Sequence, residues 1–115
     1  MKIAVSIWGD RISPVMDTAS KLLVIEIINQ REVSRFEANL VKRDISQRCS
    51  FIKGLEIEVL ICGAVSRHFS GMLQGSGIKV ISGISGFVED VLGAYSHGNL
   101  LQSRFLMPGY KSNNF

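Results

Sequence analysis

Few residues in this chain have the type and placement to do chemistry. Cys62 closes the apolar run Ile57-Glu58-Val59-Leu60-Ile61-Cys62, and His68 follows six residues later. A thiol at a strand end and an imidazole in the first turn of the next helix could face one loop cavity and ligate a soft metal. Each also has a plain structural reading: a strand-end cysteine often acts as a small hydrophobe, and a helix-start histidine is often solvated. Two glycine-containing segments, Cys62-Gly63-Ala64-Val65-Ser66 and Ser82-Gly83-Ile84-Ser85-Gly86, could bring backbone amides and two helix N-termini close to an anion, with Arg67 adding charge. Glycine in a tight strand-to-helix turn is more often plain turn chemistry, and neither segment is a P-loop. A third segment, Trp8 to Asp17, is long for a connection. In it Met16 offers a thioether and Ser13 and Asp17 offer polar contacts, unless Pro14 merely sets a turn and Asp17 merely caps one. Cys49 falls on an apolar helical stripe and is read as core, and His97 before Gly98 is read as a helix C-cap.

These residues do not complete a catalytic constellation. No G-x-S-x-G segment occurs, and the first strand carries none of the carboxylates a two-metal nuclease would need. The chain is therefore read as a binding protein and not an enzyme, with a hydrolase ranked below both binding readings given later.

The elements that must position these residues are legible from periodicity. Alternation at Ile3, Val5 and Ile7 predicts a first strand, and Leu22 to Ile28 a second. Asn29-Gln30-Arg31 turns into a more exposed third strand over Glu32 to Glu37. Asp44 with Gln47 forms a capping-box variant opening a helix whose Ile45, Cys49 and Ile52 share one face, and Gly54 ends it. Ile57 to Cys62 is a strand. Ser66 caps a helix carrying Phe69, Met72 and Leu73, which stops at Gly75 and Gly77. Ile78 to Ile81 is the fifth strand, and Ser85 is expected to cap a last helix with Val88, Val91, Leu92 and Tyr95 inward. The order β-β-β-α-β-α-β-α implies an α/β fold with a five-stranded mixed sheet, a hairpin half followed by two parallel crossover units. Residues 1–103 form the expected single domain, and 104–115 a mobile tail.

With 115 residues the chain holds one domain, and 46% hydrophobic against 20% charged residues exclude disorder. The formal charge of +3 is uneven. Residues 31–53 hold six basic and three acidic side chains, whereas 54–103 hold two and four. That segment lacks the dense basic stripe and stacking aromatics of a nucleic-acid binder. The N-terminal apolar run is too short for a signal peptide and no stretch is long enough to span a bilayer, so a cytoplasmic location without membrane contact is expected. Two cysteines in such a setting argue against a disulfide.

In their order and spacing, Lys2-Ile3-Ala4-Val5, Ile12-Ser13-Pro14, Val59-Leu60-Ile61-Cys62-Gly63, Gly77-Ile78-Lys79-Val80, Gly83-Ile84-Ser85-Gly86, and Ala94-Tyr95 with Gly98-Asn99-Leu100 resemble the dinitrogenase iron-molybdenum cofactor biosynthesis family over residues 1 to 101. The resemblance implies a three-layer α/β/α, ribonuclease-H-like fold and binding of an anionic metal-sulfur cluster containing iron, molybdenum or copper, or of an iron-molybdenum cofactor precursor. On that reading the chain is a small nitrogenase accessory factor-like carrier, serving a cofactor-assembly partner protein. Cys62 and His68 would be metal ligands, with Ser13, Met16, Asp17, Gly63, Arg67, Gly83, Ser85 and Gly86 around the cargo. Family members commonly follow Ser-Pro with a histidine and Phe-Gly-Arg, where this chain has Val15-Met16-Asp17-Thr18. That departure motivates an alternative: an interaction or regulatory module of the same fold that has lost cluster binding.

Overall fold

The computed structural model describes residues 1–98 and 103–108. Its strands are β1 Lys2–Trp8, β2 Arg11–Ile12, β3 Lys21–Ile28, β4 Arg31–Asn39, β5 Val59–Ile61 and β6 Lys79–Ile81. The helices are α1 Ile45–Gly54, α2 Arg67–Gly75 and α3 Val88–Ser96. One mixed sheet has the order β4-β3-β1-β5-β6, with β2 beside the end of β1. β1 and β3 pair antiparallel, as do β3 and β4, while β5 and β6 run parallel to β1. Six strands replace the expected five because the chain reverses after Trp8, with Gly9 at φ 63, and lays Ile12 against Ile7.

β1 sits at the centre and is buried on both faces, so its side chains separate two cores. Ile3, Val5 and Ile7 pack with Val88, Val91 and Ala94 of α3. Ala4 packs with Cys49 and Ile52 of α1 and with Phe69 and Leu73 of α2. The result is the three-layer α/β/α arrangement that the resemblance implied, with α1 and α2 over one face and α3 over the other. Ser6, wholly buried, has a hydroxyl with no hydrogen-bond partner among the described residues.

The local signals act largely as their chemistry dictates. Asn29 and Gln30 both take left-handed backbone, φ 53 and 65, in the two-residue turn that matches strand twist. Asp44 accepts a hydrogen bond from the Gln47 amide at 2.8 Å, and the Gln47 side chain accepts from the Asp44 amide at 2.9 Å. Ser66 accepts from the Phe69 amide at 3.2 Å. The last helix departs from expectation: its N-cap is Phe87, with no side-chain hydrogen bond, and not Ser85. The Ser85 amide is instead committed to the Phe105 carbonyl at 2.7 Å.

That bond belongs to a docked C-terminal segment. Residues 104–108, read from the sequence as the start of a mobile tail, lie along the loop after β6. Leu106 pairs with Ile84, the Met107 amide donates to the Gly83 carbonyl at 2.7 Å, and Phe105 is buried in the α3-side core. The rest of the expected tail, 109–115, lies outside the described residues.

Candidate functional site

The loop from Gly9 to Ser20 folds back across the carboxyl ends of β1 and β5, and its backbone is zipped to both neighbouring loops. On one side the Met16 amide donates to the Ala64 carbonyl at 2.7 Å and the Ala64 amide to the Pro14 carbonyl at 2.8 Å. On the other, the Ile12 amide donates to the Gly86 carbonyl at 3.0 Å and the Val88 amide to the Asp10 carbonyl at 2.8 Å. This crossing explains Gly63. A Cβ there would collide with the Ser13 carbonyl oxygen and stand 2.5 Å from that of Pro14. The missing side chain admits the protein's own backbone.

Two side chains hold the loop in place. Asp17 accepts a hydrogen bond from the Ser66 amide at 2.9 Å, which puts a carboxylate of this chain at the positive N-terminal end of α2. Arg48, on the buried face of α1, donates from Nη1 to the Ala19 carbonyl at 2.6 Å and from Nε to the Arg43 carbonyl at 3.0 Å. Desolvation lowers the Arg48 pKa, and the nearby Asp17 charge opposes that shift.

Between this loop and the end of β1 lies a cavity of about 290 Å³. Ile7, Trp8 and Val15 supply apolar walls, and Ser13, Thr18 and Ser20 supply hydroxyls. Trp8 is 73% exposed, a large aromatic surface left open at the rim. The cavity can therefore offer apolar contact on one side and hydrogen-bond donors on the other, with the buried Arg48 cation behind Ala19.

The residues expected to bind are distributed unevenly about this space. Ser13 lines it, and Asp17 braces it from outside. Met16 is fully buried in the core on the α1 and α2 side, so its thioether packs with that cluster. Cys62 also has no exposed surface and packs in the same cluster. Burial, and secondarily the Asp17 charge, push its thiol pKa up to about 12, so it is a protonated thiol at neutral pH. Arg67 and His68 are exposed on the first turn of α2. Cys62 is buried while His68 is exposed, neither lines this cavity, and among the described residues no group of three or more His, Cys, Asp or Glu side chains could hold a metal ion. The third loop is committed internally: the Gly83 amide donates to the Gly63 carbonyl at 2.9 Å, and Ser85 and Gly86 bond as described above.

The sequence left two participants unremarked. Trp8 stood in the long loop as a lone aromatic, and that position at a strand end was the available signal. Arg48 lies three residues after Ile45 and one before Cys49, so helical spacing already placed it beside the apolar stripe.

A profile of the dinitrogenase iron-molybdenum cofactor family matches residues 1–98. Curated proteins give no match. Among solved structures, PH0822 superposes with a TM-score of 0.82 at 17% identity, covering 100% of both chains. MJ0327 of Methanocaldococcus jannaschii gives 0.72 at 19% identity, over 86% of this chain and 90% of that one. The apo form of the orange protein from Desulfovibrio gigas gives 0.72 at 18%, over 91% and 94%. At these identities the structures establish a shared fold. With the profile spanning most of its length, the chain belongs to the dinitrogenase iron-molybdenum cofactor family.

Proposed function

We propose that the chain is a small non-catalytic carrier whose cargo is an anionic metal-sulfur cluster or an iron-molybdenum cofactor precursor, passed on to a cofactor-assembly partner. The observation that carries this reading is the cavity beneath Trp8, between the end of β1 and the loop that follows it, in a chain of this family. Sulfide surfaces are large, polarizable and weakly basic. Trp8, Ile7 and Val15 suit such a surface by dispersion, while the Ser13, Thr18 and Ser20 hydroxyls donate hydrogen bonds to it. The buried Arg48 guanidinium, with Arg67 and His68 outside, offsets negative charge.

In this geometry the cargo is held without a bond to Cys62, since a thiolate there would require the 62–66 loop to lift from the core. His68 can reach only a cargo that extends past the α2 N-terminus. Anaerobic reconstitution with iron or molybdenum and sulfide, followed by desalting, should leave metal and sulfide on the wild type and on Cys62→Ala. Trp8→Ala and Ser13→Ala should lose most of it. Background metal on the wild type would refute the carrier reading, and loss confined to Cys62→Ala would move the site to that thiol. A second reading, an interaction module with a decayed cluster site, is favoured by one fact: Asp17 already fills the α2 N-terminus. A stable protein partner from cells, with metal absent from every preparation, would select it.

A further inference from the structure

β4 is the outermost strand, and among the described residues nothing pairs with its outer edge. Every residue from Arg31 to Glu37 is exposed. Such an edge is a template for another strand, and proteins commonly blunt it with bulges and charges. Both devices occur: the register with β3 slips between Glu26 and Ile27, making Val33 the extra residue, and Arg35 and Glu37 add charge. The bulge confines regular pairing to the stretch after it, 34–39. On that stretch the charges do something that blunting does not require. They complement one another about Phe36, which is itself 45% exposed.

We propose that β4 pairs antiparallel with β4 of a second copy about a two-fold axis at Phe36, joining two sheets into one. A two-fold axis perpendicular to a sheet keeps each face on its own side, so facing residues must both be odd or both be even in number. That leaves few registers. An axis at Arg35 opposes two guanidinium groups, one at Glu37 opposes two carboxylates, and one at Ser34 runs the pairing through the bulge. An axis at Phe36 sets Arg35 of each copy against Glu37 of the other, Ser34 against Ala38, and the two Phe36 rings against each other. Arg35 is already held for this role: it pairs with Glu32 at 2.8 Å and with Glu89 at 2.6 Å, so its guanidinium is ordered on the α3 side of the sheet. Glu37 lies on the same face, 3.3 Å from Lys21.

Sedimentation equilibrium of the full chain tests this. The wild type should dimerise in the micromolar range, and Arg35→Glu or Glu37→Arg should each weaken the dimer by about tenfold or more, because both cross-strand pairs become repulsive. An equimolar mixture of those two variants should associate more tightly than either alone, since every facing pair is then of opposite sign. Arg35 also binds Glu32 and Glu89, so Phe36→Ser, outside that network, gives an independent reading and should likewise weaken the dimer. Far-UV circular dichroism shows whether each variant is folded. A wild type that stays monomeric, folded variants that dimerise as it does, or a mixture no tighter than its components would overturn the proposal.

Discussion

A methyl group on Gly63 would have nowhere to go, because the carbonyl oxygens of Ser13 and Pro14 already occupy its position. Gly63→Ala should therefore destabilise the protein by about 1–3 kcal/mol in denaturant titrations, as overpacking does elsewhere. Sequence alone allowed a close approach there, but glycine looks the same whether it serves a turn, a ligand or the chain itself. Cys62 was ambiguous for a related reason, since a strand end can face a loop cavity or the core, and only packing decides. Its burial has a pH consequence. The thiol pKa rises from 9.0 to about 12 on folding, so the folded state keeps a proton that the unfolded chain releases near pH 9. The stability this contributes is complete below pH 9 and is lost as pH climbs toward about 12. Denaturant midpoints should accordingly fall over that alkaline window, and fall less steeply in Cys62→Ala. In a Cys49→Ala background, thiol labelling of Cys62 at neutral pH should track global unfolding.

Elements whose partners lie nearby in sequence were legible: the hairpin of β3 and β4, the capping box of α1 and the Ser66 cap of α2 all follow from residues a few positions apart. β2 and the docked segment 103–108 were not, because what orders them is remote. Arg11 and Ile12 look like loop residues until the bond from the Ile12 amide to Gly86 is known, and Phe105 looks like tail until its place under α3 is seen. Removing residues 103–115 should cost roughly 2–4 kcal/mol, the range for emptying a large apolar site. Amide exchange should then rise at Gly83 and Ser85. The Asp17 brace has a similar test: Asp17→Ala should cost about 1 kcal/mol, as lost helix caps do. Faster amide exchange should follow at Ser66, and it should spread to Met16 and Ala64 as the loop loosens.

For the molecule as a whole, the order of elements other than β2 and the mixed sheet were readable from periodicity, and the family from motif order. The arrangement of the strand-end loops was readable only in part. The strand-end loops expected to meet an anion are zipped together, which spends the amides at Gly83 and Ser85 and leaves open space beside Trp8. That rearrangement follows from long-range backbone pairing that no local pattern encodes. Trp8 is the only tryptophan in the chain, which makes the cavity self-reporting. The most direct test is an anaerobic titration with tetrathiomolybdate, a small anionic metal sulfide, read by Trp8 fluorescence. A carrier of the kind proposed shows saturable, equimolar quenching that Ser13→Ala and Thr18→Arg weaken and Cys62→Ala does not. Quenching that rises without saturation, as for free tryptophan in solution, would contradict it.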